Sequence, residues 1–377
     1  MKTIVYIVNQ LRKAGPIVVL KDIIANLDRD RFRPVIIKFM NDDWARSITH
    51  QFKEMQVEIY EMNLSFWSLE LQTGTVAHKL DLLLNEIRPN IIHTHGYHPV
   101  LVVSRIKYPC FKMETLHCIS SEDFVYSKGY FLGHYMNWRY LKRLYHMDYC
   151  AAISKTIQNY YKMKLPESNI RLVYNGVDEK VFAEQKNKED CRIALGLPLE
   201  KTIFLVVGTL GIGKDPETII KAFKQSSNRE MSLLIFLGQG PLKQKCQDMT
   251  KNDPDIVFGG YVFNVFEYLR AADYSICASR SEGFGLNFIE SLMAGTPVIG
   301  SKIGPFNEFT ALYPMLQSLQ FTIGDVSELT EKINSAVTNP IEVETIIPDI
   351  TKRFSAVSMA QSYMRLYNDL IGANGNE

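Results

Sequence analysis

The sequence lacks several features that would assign it to a specialised class of protein. Its 377 residues carry a formal net charge of only +1 at pH 7, without the strong basic excess typical of proteins that bind nucleic acid along their surface. Its longest apolar runs, at 4–8 and 203–207, are far shorter than the ~18–20 residues that a membrane span needs. The chain does not begin with a basic segment, an apolar stretch and a cleavage site, so we expect a cytoplasmic location. Because the net charge is close to zero, we expect no nucleic-acid partner.

Cysteine pairs at metal-ligand or redox spacing are also absent. The six cysteines are scattered along the chain, and none of them forms a C-x-x-C pair. This distribution disfavours a zinc ribbon or a redox dithiol. We interpret the cysteines as reduced, mostly buried thiols of a cytosolic protein.

The composition that is present is that of a globular α/β protein. Hydrophobic residues make up 46% of the chain, and short apolar runs alternate with amphipathic helical stretches from end to end. Continuous apolar strands between helices indicate parallel strands that are covered on both faces. A polar stretch after residue 178 separates two such series, so we predict Rossmann-like domains at 1–178 and 179–353. A last helix at 354–377 is predicted to pack back on the first domain.

The strongest signal for a ligand site lies in the second half. The segment S-E-G-F-G-L-N-F-I-E at 281–290 follows an apolar strand, and A-G-T-P-V-I-G at 294–300 leads into the next one. The two glycines of the turn let a ligand approach the backbone, and the start of the following helix offers unpaired N–H groups. Glu282 and Glu290 bracket this turn at the carboxyl end of a strand, where open α/β sheets bind ligands. A diphosphate fits such a site.

A second segment, G-T-L-G-I-G-K-D-P-E at 208–217, places Lys214 just before a helix, with Asp215 at the N-cap and Pro216 in the first turn. An ammonium group at that position suits a phosphate ligand. A P-loop would need Ser or Thr after the lysine to hold Mg²⁺, and a dinucleotide-binding fold would need G-x-G-x-x-G. The segment departs from both patterns, so a P-loop-like NTPase and a dehydrogenase are disfavoured alternatives.

The motifs resemble those of the family-4 retaining glycosyltransferases of the GT-B fold. The resemblance rests mainly on E-G-F-G-L-x-x-x-E with A-G-T-P-V-I. Further elements occur in the expected order: N-G-V-D at 175–178, V-G-x-L-x-x-x-K at 207–214, G-x-G-P-L at 238–242, F-x-G-x-V at 258–262 and G-P-x-x-E at 304–308. The resemblance implies two Rossmann-like domains that face each other across a cleft.

The resemblance also implies a donor site. Glu282 would bind hydroxyl groups of the donor sugar, Glu290 the ribose hydroxyls, Lys214 the leaving diphosphate, and Val262 would lie beside the nucleobase. Backbone amides of four residues would contact the sugar and the diphosphate: Gly283, Phe284, Gly285 and Leu286. The family commonly has arginine where this chain has Thr209, as a second cation for the phosphates. The loss of one charged hydrogen bond costs about 1.5–3 kcal/mol unless another group replaces it.

In the first half, the resemblance implies acceptor-side positions at Gly15 and His95 and a catalytic His117 that contacts the donor sugar. The family often has two consecutive glycines where only Gly15 remains. His93, His95 and His98 are close in sequence, but no aspartate or glutamate stands beside them, which disfavours a metal site. A partly buried histidine with a purely structural role is the alternative for His117.

The segment 124–145 is dense in aromatic and basic residues. This pattern suits a helix that lies at a membrane surface rich in anionic lipid, and it also suits an ordinary packed helix with a basic outer edge. The first interpretation would make the protein peripheral on the inner face of the plasma membrane.

Together these observations predict a glycosyltransferase. It would move a hexosyl or N-acetylhexosaminyl group from a nucleotide sugar, most simply a UDP-sugar, to a glycan or polyprenyl-linked acceptor in cell-surface polysaccharide synthesis. By resemblance, the configuration is retained and neither a metal nor another cofactor is needed. A weakly active or non-catalytic glycosyltransferase-like subunit stays open because of Thr209, and a sugar phosphorylase would need a cofactor lysine or phosphate site that the sequence does not reveal.

Overall fold

The chain divides into two compact units. We analysed a computed structural model that describes residues 1–43, 47–165, 170–182, 186–251, 253–262 and 264–372. Unit 1 comprises Met1–Gly176 with Ala356–Glu377, and unit 2 comprises Val177–Ser355. The predicted boundaries at 178 and 353 each lie two residues from these divisions.

Unit 1 is built on a parallel sheet of seven strands in the order β3-β2-β1-β4-β5-β6-β7. The strands are β1 (Lys2–Val8), β2 (Phe32–Lys38), β3 (Glu58–Glu61), β4 (Ile91–Thr94), β5 (Phe111–Leu116), β6 (Tyr149–Ala152) and β7 (Ile170–Leu172). The central strands are buried along their length: Ile4 to Val8 are fully inaccessible to solvent, as expected for strands covered by helices on both faces.

Eight helices of unit 1 alternate with or flank these strands. They are α1 (Gly15–Ala25), α2 (Thr49–Glu54), α3 (Phe66–Leu71), α4 (Thr73–Ile87), α5 (Tyr97–Val103), α6 (Ser120–Lys128), α7 (Tyr130–Leu144) and α8 (Lys155–Lys162). Helix α1 begins beside Pro16, which fits the first turn because that turn leaves amide groups unpaired.

Unit 2 repeats the architecture with six parallel strands in the order β10-β9-β8-β11-β12-β13. The strands are β8 (Thr202–Val207), β9 (Ser232–Leu237), β10 (Ile256–Gly260), β11 (Tyr274–Cys277), β12 (Val298–Ser301) and β13 (Gln320–Phe321). The helices are α9 (Lys188–Leu195), α10 (Pro216–Gln225), α11 (Lys243–Met249), α12 (Val265–Ala271), α13 (Leu286–Met293), α14 (Gly304–Leu312), α15 (Val326–Thr338) and α16 (Ile347–Phe354). The prediction of two Rossmann-like α/β domains is confirmed.

The last helix, α17 (Ala356–Gly372), belongs to unit 1 and packs against α1. Its Tyr367 hydroxyl lies 2.8 Å from Nδ1 of His93 and 3.1 Å from the Tyr6 hydroxyl. Its Tyr363 hydroxyl lies 2.9 Å from the Thr115 hydroxyl, which in turn lies 2.7 Å from Nε2 of His93. These buried bonds join the helix to three strands of the sheet, so His93 has a structural role in unit 1.

Each sheet has a point at which the strand order reverses. In unit 2 the chain runs outward from β8 through β9 to β10, then returns to place β11 on the other side of β8. In unit 1 the corresponding neighbours are β1 and β4. Loops that follow these two strands diverge to opposite faces and leave a crevice at the carboxyl end, which is where open α/β sheets bind ligands. Within the part of the chain that the structure describes, no helix has the length and apolar character needed to cross a bilayer.

Candidate functional site

The reversal point of unit 2 brings an ammonium group and a carboxylate into contact. Lys214 follows β8 and Glu282 follows β11, and the Lys214 ammonium donates a hydrogen bond to Oε1 of Glu282. The Ser279 hydroxyl donates to the same oxygen at 2.7 Å. Among the described residues, no side chain or backbone group donates to Oε2 of Glu282, so this oxygen can accept hydrogen bonds from a ligand.

Glu290 belongs to the same group of charges. Burial alone lowers the pKa of Lys214, but the charge and hydrogen bond of Glu282, with smaller effects of Cys277 and Glu290, raise it above its ordinary value. Burial raises the pKa of the Cys277 thiol to about 12. The charge of Lys214 lowers this pKa, and the charges of Glu282 and Glu290 raise it further. Since Cys277 ends β11, the ammonium and both carboxylates gather around the end of this strand.

The start of α13 adds backbone donors to this site. Gly285 precedes the helix with φ 95°, and a Cβ there would lie 2.5 Å from Cε1 of Phe306, so only glycine fits. The amide hydrogens of Leu286 and Asn287 bond to no other described residue. They form the positive end of the helix dipole, which suits an anionic ligand. The helix ends before Gly295, whose φ of 81° is a conformation that favours glycine.

The buried Phe284 has a structural part beside its predicted backbone role. Its ring packs edge-to-face on Phe309 and Phe354, with centroids 5.2 and 5.7 Å away. Gly283 is also buried. These contacts fix the turn between Glu282 and the start of α13, so the amide groups keep their direction.

The loops after β8, β9 and β10 are tied to one another. Gly208 donates its N–H to the Leu237 carbonyl at 2.9 Å, and Gly238 donates to Gly260 at 2.7 Å. A Cβ on Gly238, whose φ is 151°, would lie 1.8 Å from the Gly208 carbonyl oxygen, so the close approach of the loops requires glycine. Val262 lies on the outermost of these loops and packs half-buried against the hydrophobic core of unit 2.

Thr209 is exposed on the loop after β8, close in sequence to Lys214 but without a charge. Arg280 is near in sequence to Glu282, and its guanidinium pairs with Asp215 at 2.7 Å. The Asp215 carboxylate also accepts from the Thr218 hydroxyl at 2.9 Å. Asp215 therefore occupies the predicted N-cap position of α10, but its carboxylate binds these side chains and caps no backbone amide.

The reversal point of unit 1 holds the other predicted residues. His95 follows β4 and His117 follows β5, and Nδ1 of His95 lies 2.9 Å from Nε2 of His117. Gly15 is exposed at the start of α1, where a Cβ would meet no atom within 4 Å. A side chain at this position would meet no steric obstacle, so glycine is not needed there for steric reasons within unit 1.

Two buried polar atoms at this point have no hydrogen-bond partner among the described residues. They are Oδ1 of Asn9, on the loop after β1, and Nε2 of His95. The Asn9 amide nitrogen lies 3.0 Å from Nδ1 of His98, which holds the side chain in place. A buried polar atom left unpaired is costly, so this pair marks a place where a ligand can supply the missing bonds.

The histidines of this site are neutral. Burial lowers the pKa of His117 to about 3, and burial together with the neighbouring histidines lowers that of His95 well below its ordinary value. Each neutral ring has one N–H and one bare nitrogen, so each can both donate and accept a hydrogen bond. His117 can therefore contact a hydroxyl group, but it brings no positive charge.

Sequence reasoning missed three residues of these sites. Ser279 orients Glu282, and its signal was a serine two residues after β11, directly before the turn. Asn9 follows β1 and has an unpaired side-chain oxygen. Glu114 lies fully buried in β5, where its Oε1 accepts from the Gly96 amide at 3.0 Å and the Tyr140 hydroxyl at 2.8 Å. The signal for Glu114 was a single acidic residue within the short strand F-K-M-E-T-L.

The described residues contain no cluster of three or more histidine, cysteine or acidic side chains that could hold a metal ion. The charged groups of unit 2 instead form a cradle of one ammonium, two carboxylates and backbone N–H groups. Such a set can bind a diphosphate through the ammonium and amides and hydroxyl groups through the carboxylates.

Family comparison identifies the class of protein to which these sites belong. The model described as "Glycosyltransferase Family 4" matches residues 15–181, and the model described as "Glycosyl transferases group 1" matches residues 187–353. The chain therefore belongs to the family-4 glycosyltransferases and is a transferase enzyme. This membership confirms the sequence-based resemblance and removes the NTPase and dehydrogenase alternatives for 208–217.

Similar proteins agree with this assignment. The "O-antigen biosynthesis glycosyltransferase WclY" of Escherichia coli is 25% identical over 376 residues, which span 97% of this chain and 98% of that protein. The "N-acetyl-alpha-D-glucosaminyl L-malate synthase" of Bacillus anthracis is 26% identical over 43% of each chain.

Solved structures show the same fold. HepE of Anabaena, in complex with UDP and glucose, matches with a TM-score of 0.82 at 16% identity, over 98% of this chain and all of that one. Sucrose-phosphate synthase of Thermosynechococcus elongatus matches with a TM-score of 0.82 at 18% identity, over 99% and 100% of the two chains. The GT-B prediction is confirmed.

Proposed function

We propose that this enzyme transfers a hexosyl or N-acetylhexosaminyl group from a UDP-sugar to a glycan or polyprenyl-linked glycan, with retention of configuration, in cell-surface polysaccharide synthesis. The observation that carries the proposal is the contact of Lys214 with Glu282 at the reversal point of unit 2. The name of the Escherichia coli relative supports the glycan acceptor, and the UDP complex of the Anabaena structure supports the base of the donor.

The donor end of the reaction needs stabilisation of a leaving diphosphate. Negative charge grows on the phosphate oxygens as the bond to the anomeric carbon breaks. The Lys214 ammonium has three N–H groups and donates one hydrogen bond to Glu282, so two N–H groups remain for the phosphates. The amides of Leu286 and Asn287 supply further donors. Preorganised donors of this kind contribute on the order of 3–4 kcal/mol each to the transition state.

The sugar end needs acceptors for hydroxyl groups. Oε2 of Glu282 is available, because both protein donors bind Oε1. Glu290 would hold the ribose, Val262 would contact the base, and Gly283 to Leu286 would line the turn around the donor. This assignment needs no metal ion and no other cofactor, since the ammonium and the helix end supply the positive charge.

The acceptor end is proposed for unit 1. The unpaired Oδ1 of Asn9 and Nε2 of His95 suit hydroxyl groups, which can both donate and accept. Gly15 is exposed at the start of α1, where it would lie beside the acceptor. His117 is neutral and would donate to, or accept from, a hydroxyl group of the donor sugar.

A second candidate is a glycosyltransferase-like subunit that binds nucleotide weakly and does not catalyse. Thr209 favours it, because the position offers no charge and Arg280 is paired with Asp215. Calorimetry separates the two candidates. An active enzyme should bind UDP and release it from a UDP-sugar, whereas a non-catalytic subunit should do neither.

The test is a donor panel in which release of nucleoside diphosphate is measured with UDP- and GDP-sugars. With the donor that reacts, Lys214→Ala and Glu282→Ala should each lower turnover by about 100-fold or more. Glu282→Gln should separate the role of Glu282 in sugar binding from the role of Lys214 in phosphate binding. The substitution keeps the side-chain shape but removes a negative charge beside the phosphates. It should lower turnover without weakening UDP binding, whereas Lys214→Ala should weaken UDP binding as well.

Lys221→Ala is the matched control, because Lys221 is an exposed lysine of α10 that contributes to neither site. It should behave like the wild type. Far-UV circular dichroism of each variant verifies the fold. Wild-type turnover in both Lys214→Ala and Glu282→Ala would refute the assignment of the site.

A further inference from the structure

Helix α7 exposes aromatic side chains on the face that is usually polar in a surface helix. The residues that it buries are Gly133, Tyr140 and Leu144. On the opposite face, spaced by three or four residues, four aromatic side chains are 88%, 51%, 57% and 55% exposed: Phe131, Tyr135, Trp138 and, at the C-cap, Tyr145. We call these four residues the aromatic stripe. A helix that only packed on the sheet would turn such side chains inward.

The stripe cannot rotate into the core, because α6 and α7 form a tight hairpin. A Cβ on Gly133 would lie 2.6 Å from the Val125 backbone, so the two helix backbones are in contact at this point. Arg139 on α7 pairs with Glu70 on α3 and donates to the Glu70 carbonyl at 2.7 Å. These contacts fix the side of α7 that carries the stripe on the outside of unit 1.

Helix α3, which this pair holds beside α7, is also apolar on its outside. Phe66, Trp67 and Leu71 are exposed, and Trp67 is 67% accessible. Scattered single apolar side chains are normal at a protein surface, but a concentration of large ones on neighbouring helices marks an interaction site.

The charged side chains of α7 itself are all positive. Helix α7 contains no acidic residue. Lys128, Lys142 and Arg143 form no salt bridge with any residue in the described ranges. Lys142 lies within the stripe, and its ammonium is 5.4 Å from the centroid of the Trp138 ring.

We propose that the aromatic stripe and these basic residues bind the surface of an anionic phospholipid bilayer, with α7 lying in the plane of the headgroups. Tryptophan and tyrosine are the side chains that favour the boundary between headgroups and acyl chains, because they are apolar with one polar atom. Unpaired lysine and arginine are attracted to anionic headgroups. A sugar chain or a second copy of this protein would explain the aromatic side chains, but neither calls for the unpaired positive charge.

Co-sedimentation of the full chain with vesicles tests the proposal. Vesicles of phosphatidylcholine alone are compared with vesicles that contain one third phosphatidylglycerol, at low and at raised salt. The protein should bind the anionic vesicles, and salt should weaken the binding. Lys142→Gln should lower the partition coefficient about fivefold, as one basic side chain near an anionic surface contributes that much. Phe131→Ser with Trp138→Ser should lower it tenfold or more.

Two controls match these variants. Met163→Ala removes another exposed apolar side chain of unit 1, 76% accessible, and Lys221→Gln removes an exposed lysine of unit 2. Both should bind vesicles like the wild type. Release of nucleoside diphosphate without vesicles should be unchanged in the stripe variants, so failure of this proposal is distinguishable from failure of the proposed function.

Three results would overturn the proposal. The first is no binding to either kind of vesicle, and the second is binding that the stripe variants do not change. The third is a dimer, measured by light scattering, that the double variant dissociates while vesicle binding persists. That result would assign the stripe to contact between copies of the chain.

Discussion

Replacing Glu114 by glutamine should remove one component of the pH dependence of stability of unit 1. Burial raises the pKa of Glu114 to about 8, and its hydrogen bonds, which lower the pKa, offset only part of this effect. The local geometry agrees with a protonated carboxyl group. The Thr94 hydroxyl lies 3.0 Å from the Met113 carbonyl and also contacts Oε2 of Glu114, but it has only one proton. A protonated carboxyl resolves this conflict, because it can donate to the hydroxyl while the hydroxyl donates to Met113.

The sign of the effect follows from proton binding. Between pH 4.5, the ordinary pKa, and about 8, folded Glu114 holds a proton that the unfolded chain releases. Its contribution to stability is therefore fully present below pH 4.5 and is lost as the pH rises to about 8. The free energy of unfolding should fall by about 1.4 kcal/mol per pH unit from this group, or roughly 5 kcal/mol over the window.

Buried histidines act in the opposite direction. Burial lowers the pKa of His93 and His117 to about 3, so the unfolded chain binds protons that the folded unit does not. Their contribution is present above their ordinary pKa of 6.5 and is lost as the pH falls toward 3. The raw pH profile of the wild type therefore mixes both effects. Subtracting the profile of Glu114→Gln cancels the histidines and isolates the carboxyl group.

The assay is urea unfolding followed by tryptophan fluorescence. The sequence has three tryptophans, and all of them fall within the residue range of unit 1, so the signal reports the unfolding of this unit. Glutamine keeps an acceptor for the Gly96 amide and does not titrate. The stability of the wild type relative to Glu114→Gln should fall steadily with pH and become constant above about 8. Parallel profiles from pH 5.5 to 8.5 would refute the inference that Glu114 is protonated in the folded unit.

Two further predictions concern unit 2. Thr209→Arg restores the cation that the family commonly has, and it should tighten UDP binding about tenfold or more, as expected for one charged hydrogen bond. Calorimetry measures the affinity, and Thr209→Gln is the uncharged control. Equal affinities of the two variants would mean that position 209 does not approach the phosphates. Gly285→Ala should destabilise unit 2 by about 2 kcal/mol or more, because a Cβ would lie 2.5 Å from Phe306 and φ is 95°. Thermal unfolding followed by circular dichroism measures the loss of stability. The control is Gly213→Ala, because a Cβ on Gly213 would meet no atom within 4 Å. A Gly285→Ala variant as stable as the control would contradict the close contact.

The sequence predicts well what depends on local pattern. Apolar strands between helices imply parallel sheets, and a glycine after the last apolar residue of a helix predicts its end, as at Gly295. Because the carboxyl ends of parallel strands share one edge, the sequence also predicts that Lys214 and Glu282 lie at the same edge of unit 2. Their direct contact additionally depends on β8 and β11 being neighbours, which the strand order decides.

What the sequence cannot predict depends on contacts between distant segments. The pairing of His95 with His117 requires the register of β4 against β5. The unpaired oxygen of Asn9 appears only when every neighbouring donor has been placed. The aromatic stripe of α7 is a similar case, because the pattern of 124–145 suits both a packed helix and a membrane-surface helix. Burial of Gly133, Tyr140 and Leu144 decides which face of that helix is turned outward.

The two reversal points share a topology but differ in charge, and this difference fits two kinds of ligand. In unit 2, the Lys214 ammonium and the free amides of α13 provide charged and backbone N–H donors for a diphosphate. In unit 1, burial keeps His95 and His117 neutral, so the site offers hydrogen bonds without charge. A neutral site does not compete for the anionic donor, and it suits hydroxyl groups, which both donate and accept. Under the proposed function, the same fold would offer an anionic donor and a neutral hydroxyl group two sites that differ in the charge of a few side chains.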